Sequence, residues 1–126
     1  MLRRPSIALP AILGLSGLMG TTLAMAHHSF AMFDMTKSVR LEGTVKRFDW
    51  TNPHSWIFLE VAGPGTMTEQ WTIELPSAGA LAREGWNKNY LRVGERVVLQ
   101  VNPLKDGRKG GNLESFTPPS KGPVAP

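Results

Sequence analysis

The chain has 126 residues, no cysteine and a formal net charge of +4 from 14 basic and 10 acidic side chains. Arg3 and Arg4 fall in a predicted signal peptide, so the rest of the chain keeps 12 basic side chains against 10 acidic ones. This near-neutral balance gives no electrostatic basis for nucleic-acid binding, and the lack of cysteine excludes a disulfide framework and a cysteine-linked lipid anchor.

Residues 1–26 have the three parts of a secretory signal peptide. A charged start, Arg3-Arg4, precedes an apolar stretch over 7–18, and Ala24-Met25-Ala26 forms a cleavage site. A membrane anchor is the alternative, but proline and glycine interrupt the stretch, which is shorter than the ~20 residues of a spanning helix. We expect Sec-type export, cleavage after Ala26, no stable membrane insertion afterwards, and a periplasmic or secreted protein.

The mature chain begins with an arm, residues 27–37, in which no hydrophobic period is clear. From Val39 onwards, apolar and polar residues alternate, which predicts a half-buried first strand. The alternation changes parity between Val45 and Phe48. Either a β-bulge near Lys46-Arg47 redirects the strand, or its far end curls as a closing barrel requires.

Two further strands follow a turn. Thr51-Asn52-Pro53-His54 has turn chemistry, because Pro53 fixes its own φ and restricts the residue before it. A second strand is predicted over residues 56–61, with apolar residues on nearly both faces, and Gly63-Pro64-Gly65 ends it. A third strand over residues 68–75 alternates apolar and polar residues, so one of its faces is expected in the core.

A short helix is predicted after the third strand. Pro76 stops that strand, Ser77 is a suitable N-cap, and Gly85 is suited to the C′ position. The helix is expected to carry an alanine-rich run with Leu81 on its buried side.

Two more strands complete the chain. Gly94 opens a fourth strand that ends at Asn102-Pro103. A glycine-rich loop from Asp106 to Gly111 is expected to turn the chain into a fifth strand over residues 112–116. The proline-rich residues 117–126 are predicted to form a disordered tail.

The order of these elements predicts the fold class. Three strands, one short helix and two strands, with a curled first strand, are typical of an all-β, five-stranded OB-like barrel, here over residues 38–116. Another small antiparallel barrel or an open sandwich is the alternative, and either would keep the five strands.

Short motifs stand in one order along nearly the whole mature chain: Ala26-His27-His28-Ser29-Phe30, Gly43-Thr44-Val45 to Trp50, Asn52-Pro53-His54, the Glu74 strand end, Leu81 with Gly85-Trp86, and Gly94 with Asn102-Pro103-Leu104 and Asp106-Gly107. Together they resemble a family of small secreted proteins of Gram-negative bacteria that is catalogued only as a domain of unknown function. The resemblance implies secretion and one compact domain. It brings no activity, substrate or site residues.

The new N-terminus is the leading candidate for a metal site. After cleavage, His27 offers its α-amine and its imidazole to one ion, and a second imidazole would complete the T-shaped copper arrangement of histidine-brace proteins. These nitrogens suit Cu(II), whereas the thioethers of Met32 and Met35 suit Cu(I). His28 cannot easily direct its ring to the same ion, so His54 is the favoured partner. Alternatively, the histidine pair simply starts a frayed arm and Met32 packs on the barrel.

A metal-free ligand face is the second candidate. In an OB barrel the strand 1–2 and strand 4–5 loops flank the face of strands 2 and 3. Aromatic, amide and basic side chains are expected there: Trp50, Asn52, Trp56, Phe58, Lys105 and Arg108. Such a face could bind a peptide, a glycan or another small ligand. Alternatively, the arm, the helix or the segment around Trp86 covers the aromatic side chains, and the basic loop only adds solubility.

The sequence offers no catalytic motif. It has no cysteine nucleophile, no serine in a G-x-S-x-G context, and no P-loop, dinucleotide fingerprint or H-E-x-x-H. Carboxylates such as Glu60 and Glu74 are scattered, and their spacing does not indicate a pair. We therefore predict a binding or accessory protein with copper as its candidate cofactor and no catalytic residues. A histidine-brace oxidoreductase is the enzymatic alternative.

Overall fold

The computed structural model describes residues 30–118. The predicted signal peptide, the arm residues 27–29 and the tail beyond residue 118 lie outside the described residues. The described part contains five strands and a short helix in the predicted order: β1 (Val39–Asp49), β2 (Ser55–Ala62), β3 (Thr68–Leu75), α1 (Ala78–Arg83), β4 (Arg96–Pro103) and β5 (Gly110–Thr117).

The strands close into a barrel in the order β1-β2-β3-β5-β4, and β4 returns to pair with β1. Neighbouring strands are antiparallel except β3 and β5, which run parallel and pair only from Thr72↔Gly110 to Glu74↔Asn112. A closed five-stranded barrel with its helix between the third and fourth strands confirms the predicted fold class.

β1 pairs with two neighbouring strands. Residues Val39 to Thr44 pair with β4, while residues Gly43 to Asp49 pair with β2. The register with β2 shifts between Val45 and Arg47, which confirms the bulge predicted near Lys46-Arg47. The bulge changes the parity of the strand, so Phe48 packs against the core although it lies at an odd spacing from Val45.

The core fills the barrel interior and one of its ends. Burying an aliphatic side chain stabilises a fold by about 1.5–3 kcal/mol, so this cluster is the main source of stability in a chain without disulfides. Its buried members come from all strands except β5, together with α1 and the segment that follows it: Leu41, Val45, Ile57, Leu59, Trp71, Ile73, Leu75, Leu81, Leu91, Val97, Leu99 and Val101.

The ends of α1 are capped as the sequence predicts. The Ser77 Oγ atom accepts a hydrogen bond from the Ala80 amide at 3.1 Å. Gly85 has a φ of +90°, at the C′ position, and the amide of Trp86 donates to the Leu81 carbonyl oxygen at 3.0 Å. This Schellman closure sets Trp86 directly after the helix, beside its buried face.

The loop between β4 and β5 is shorter than predicted, because β5 already begins at Gly110. Gly110 and Gly111 are buried. A Cβ atom on Gly111 would lie 2.7 Å from the Asn102 carbonyl oxygen, and one on Gly110 would lie 2.8 Å from the Leu104 side chain. These two glycines are therefore strand residues that permit a close backbone approach.

Candidate functional site

The N-terminal arm is fastened across the connection between β4 and β5. Phe33 is only 3% exposed and forms a β-bridge with the residue that follows β4. The Asp34 amide donates to the Pro103 carbonyl oxygen at 2.8 Å, and the Lys105 amide donates to the Met32 carbonyl oxygen at 2.9 Å. Backbone hydrogen bonds on both sides of a buried ring thus hold the arm at one place on the barrel.

A turn built on Asp34 leads the arm into β1. One carboxylate oxygen accepts from the Thr36 hydroxyl at 2.6 Å, and the other lies 3.0 Å from the Lys37 Nζ atom. The Thr36 hydroxyl, followed by Lys37, lowers the pKa of Asp34 to about 2. Asn102 Nδ2 donates to the Lys37 carbonyl oxygen at 2.9 Å, which joins this turn to β4.

His54 and Glu74 meet where β2 begins and β3 ends. The His54 Nδ1 atom lies 3.2 Å from the Glu74 Oε1 atom, and Glu74 is only 7% exposed. Trp56 stands opposite Glu74 in the β2–β3 pairing, and its ring meets the His54 ring edge-on, with centroids 6.4 Å apart. A carboxylate that accepts from Nδ1–H orients the imidazole and leaves the lone pair on Nε2.

A cleft of about 380 Å³ lies between the arm and the seam where β3 meets β5. Pockets for small ligands begin near this volume. Its walls combine apolar side chains, one nearly buried carboxylate and two basic side chains, so it could hold a small ligand with polar ends. The lining residues are Met32, Phe33, Trp56, Thr72, Glu74, Leu104, Arg108, Lys109, Gly110 and Gly111.

Both basic side chains of the cleft have carboxylate partners. Arg108 Nε donates to Asp106 Oδ2 at 2.7 Å, and Lys109 Nζ lies 3.2 Å from Glu69 Oε1. The Arg108 amide, and then its guanidinium group, lower the pKa of Asp106. Ion pairs between exposed groups are weak, so either cation could exchange its carboxylate for an anionic ligand group.

The structure brings together two of the six residues predicted for the ligand face. Trp56 and Arg108 both line the cleft. Lys105 lies in the same β4–β5 connection, but its Nζ atom donates to the Ala31 carbonyl oxygen at 2.8 Å and so helps to hold the arm.

The other three predicted ligand-face residues do not line the cleft. The guanidinium carbon of Arg47 lies 3.7 Å from the centre of the Phe58 ring and covers it. Trp50 packs edge-on against Phe48, with ring centroids 6.0 Å apart. The Asn52 Oδ1 atom accepts from an amide in the first turn of α1 at 3.5 Å.

Three of the five predicted metal ligands belong to the described residues. Met32 lines the cleft, His54 contacts its Trp56 wall, and Met35 is 51% exposed and outside the lining. His27 and His28 lie outside the described residues. Within residues 30–118, no three histidine, cysteine or acidic side chains lie close enough together to hold a metal ion.

The sequence assigned Glu74 no role in the site beyond that of a scattered carboxylate, and other cleft residues were also not predicted for the ligand face: Thr72, Leu104 and Lys109. The hairpin register could have indicated Glu74: once Ser55 pairs with Leu75, position 74 must stand opposite Trp56 and near His54. A glutamate in a strand that ends in the core also indicates a nearby partner, because glutamate is almost never buried without one.

A protein-family model matches residues 17–114, which extend from the predicted signal peptide into β5. The chain belongs to the family of unknown function DUF6152. Membership in a domain family without a known function is therefore confirmed. No curated protein matches the DUF6152 chain in sequence. Between residues 30 and 118, no helix is long and apolar enough to cross a membrane.

Proposed function

We propose that this DUF6152 protein is an exported, non-enzymatic copper-binding accessory protein. Cleavage after Ala26 makes His27 the first residue, and its α-amine and imidazole hold the ion together with the imidazole of His54. The observation that carries the proposal is the 3.2 Å contact between His54 Nδ1 and Glu74, because metal-binding histidines almost always present their second ring nitrogen to a carboxylate or carbonyl.

The path of the arm supports the pairing of His27 with His54. The arm is anchored at Phe33 and passes along the cleft at Met32, whose opposite walls include Trp56 and Glu74. His27 is five residues before Met32, and Phe30 and Ala31 between them are helical, so this segment spans less than the roughly 17 Å of five extended residues. We infer that the N-terminus still lies near the edge of the cleft where His54 packs on Trp56.

The donor atoms near this edge suit copper. One amine and two imidazole nitrogens are ligands that Cu(II) favours, and the Met32 thioether offers a soft ligand for Cu(I). Met32 lines the cleft and is partly exposed, so its sulfur is accessible from the same side. A site that serves both oxidation states is suited to accepting and passing on copper.

The proposal is tested by titrating Cu(II) against a competing chelator with protein that starts at His27. A form whose His27 α-amine is acetylated, and His54→Ala in the correctly processed form, should each bind at least tenfold more weakly. His28→Ala is the matched control and should bind as the parent does. Equal affinity in the parent, the acetylated form and His54→Ala would refute the proposed site.

Export and the cleavage point are tested separately. Mass spectrometry of the untagged protein from its own host should give a chain that starts at His27, and native conditions should retain the metal. A chain that still carries residues 1–26 would refute cleavage after Ala26 and the N-terminal chelate, because the α-amine of His27 would then be part of a peptide bond.

A metal-free binding protein is the second candidate, and the cleft itself favours it. Trp56 and Arg108 lie on one cleft with the nearly buried Glu74, which suits a small ligand or the end of a peptide or glycan. Ligand-detected NMR with the small-molecule fraction of a periplasmic extract, in the presence of EDTA, should show binding that Trp56→Ala and Arg108→Ala weaken. Val93→Ala, at a 73% exposed position, serves as the control.

A further inference from the structure

A second groove of about 390 Å³ shares no lining residue with the cleft described above. It lies where α1, the segment after it and β5 meet. Its polar and aromatic lining residues are Glu84, Trp86, Tyr90, Glu114, Ser115 and Phe116. The proposed copper site uses none of them.

Three aromatic rings form one wall of the groove. Trp86 and Tyr90 stack with centroids 4.1 Å apart, and Phe116 meets the Trp86 ring edge-on at 5.2 Å. The Schellman closure of α1 positions Trp86, and the Tyr90 amide donates to the Asn87 carbonyl oxygen at 2.9 Å. The rings are thus held by backbone hydrogen bonds, while Tyr90 keeps 37% of its surface exposed.

Of the described residues, the charged ones that line this groove are both glutamates. Glu84 and Glu114 are exposed, and no lysine or arginine lines the groove within the described part of the chain. One Glu114 oxygen accepts from the Ser38 hydroxyl, a neutral donor that does not offset the charge. Aromatic rings beside carboxylates attract cations, because the negative ring face and the carboxylates act in the same direction.

We propose that this groove binds an organic cation of the size of one arginine or lysine side chain. The alkyl stem would lie on the aromatic wall, and the guanidinium or ammonium group would face Glu84 and Glu114. The volume accommodates one such group. The cation could be a free small molecule or a residue of a basic peptide, and the chemistry that recognises it is the same.

Matched pairs of charged and neutral probes test the proposal on the mature, metal-free protein in EDTA. Butylguanidine and butylurea represent a free cation and its neutral analogue. Acetyl-Gly-Arg-Gly-amide and the same peptide with citrulline represent a peptide source. Dissociation constants can be measured from the NMR shifts of the Trp86 indole and the Tyr90 ring. Each charged probe should have a dissociation constant at least fivefold lower than that of its neutral analogue. If the arginine peptide binds at least tenfold more tightly than butylguanidine, the source of the cation is a basic peptide. If the two bind with similar affinity, the source is a free cation.

Variants separate the local contact from overall charge. The double variant Glu84→Gln/Glu114→Gln should weaken charged probes at least fivefold. The double variant Glu42→Gln/Glu60→Gln, which changes the net charge equally at residues outside the groove, should not. Tyr90→Leu, at a partly exposed position, tests the aromatic wall and should also weaken binding. Equal binding of charged and neutral probes, or an unchanged affinity in the groove variants, would overturn the proposal.

Discussion

The His54 Nδ1 atom lies 3.2 Å from the Oε1 atom of Glu74, across the open end of the β2–β3 hairpin. Glu74 is nearly buried, whereas His54 is partly exposed. The carboxylate is therefore fixed by its surroundings and can orient the imidazole, rather than the reverse. This asymmetry distinguishes the pair from an ordinary surface ion pair, in which both side chains move freely.

The substitution Glu74→Gln should lower the affinity for Cu(II) about tenfold or more, because carboxylates that orient a metal-binding histidine typically contribute that much to metal binding. The change can be measured by chelator competition. Glu60→Gln is the matched control. Glu60 is also a β2–β3 hairpin glutamate, but it lies away from His54, and its carboxylate is 3.6 Å from the Lys46 Nζ atom of β1. Unaltered copper affinity in Glu74→Gln would show that Glu74 does not orient a metal ligand.

Gly43→Ala and Gly79→Ala should change stability in opposite directions. A Cβ atom on Gly43 would collide with the Glu60 carbonyl oxygen of the paired strand β2, so the barrel must shift. Gly79 lies in α1 with space around it, and alanine there should stabilise the protein by about 0.5–1 kcal/mol. Urea unfolding should show a lower midpoint for the first variant and a higher one for the second.

Leu59→Ala should lower the free energy of unfolding by about 2–5 kcal/mol, because it opens a cavity among fully buried side chains. Val93→Ala, at a position 73% exposed, should change it by less than about 0.5 kcal/mol. Chemical denaturation of the two variants measures both values. Similar losses in both would mean that Leu59 is not in the core.

The Asp34 turn should open in acid. Its folded pKa of about 2 is below the usual 3.8, so the ionised carboxylate favours the folded arm. The contribution is complete above pH ~4 and is lost as the pH falls towards 2. An NMR titration should give a carboxyl pKa near 2, with amide exchange in the arm rising over the same range. In Asp34→Asn that acid-induced rise should disappear, whereas a carboxyl that titrates near 3.8 would contradict the described hydrogen bonds.

Local signals predicted the elements of the fold well. The parity change after Val45 indicated the bulge, Ser77 indicated the start of α1, and Gly85 indicated its end. Each of these features depends on residues within a few positions of one another, so the local sequence is enough to predict it. Both bounds of β5 differ from the prediction. Thr117 pairs with Val98 and extends the strand, and Gly110 and Gly111 begin it early because they permit a close approach to distant residues.

The site was harder to predict because it depends on contacts between distant segments. Trp56 and Arg108 were expected on one face and do share a cleft. Phe58 does not join them, because Arg47 stands opposite it in the β1–β2 pairing and covers its ring. The position of the arm follows from the pairing of Phe33 with Leu104, which no local pattern indicates. Glu74 acquires its role only when the strand register is known.

The parallel seam between β3 and β5 bears on how long a single molecule stays folded. These strands share three residue pairs, whereas β2 and β3 share eight, and α1 and β4 separate them along the chain. Joining them closes a long loop and forms only three residue pairs, so we expect this contact to form late in folding. A cleft occupant touches both strands, since Thr72 and Gly110 line it together. Binding should therefore slow unfolding far more than it speeds folding, and the lifetime of the barrel would report its occupancy.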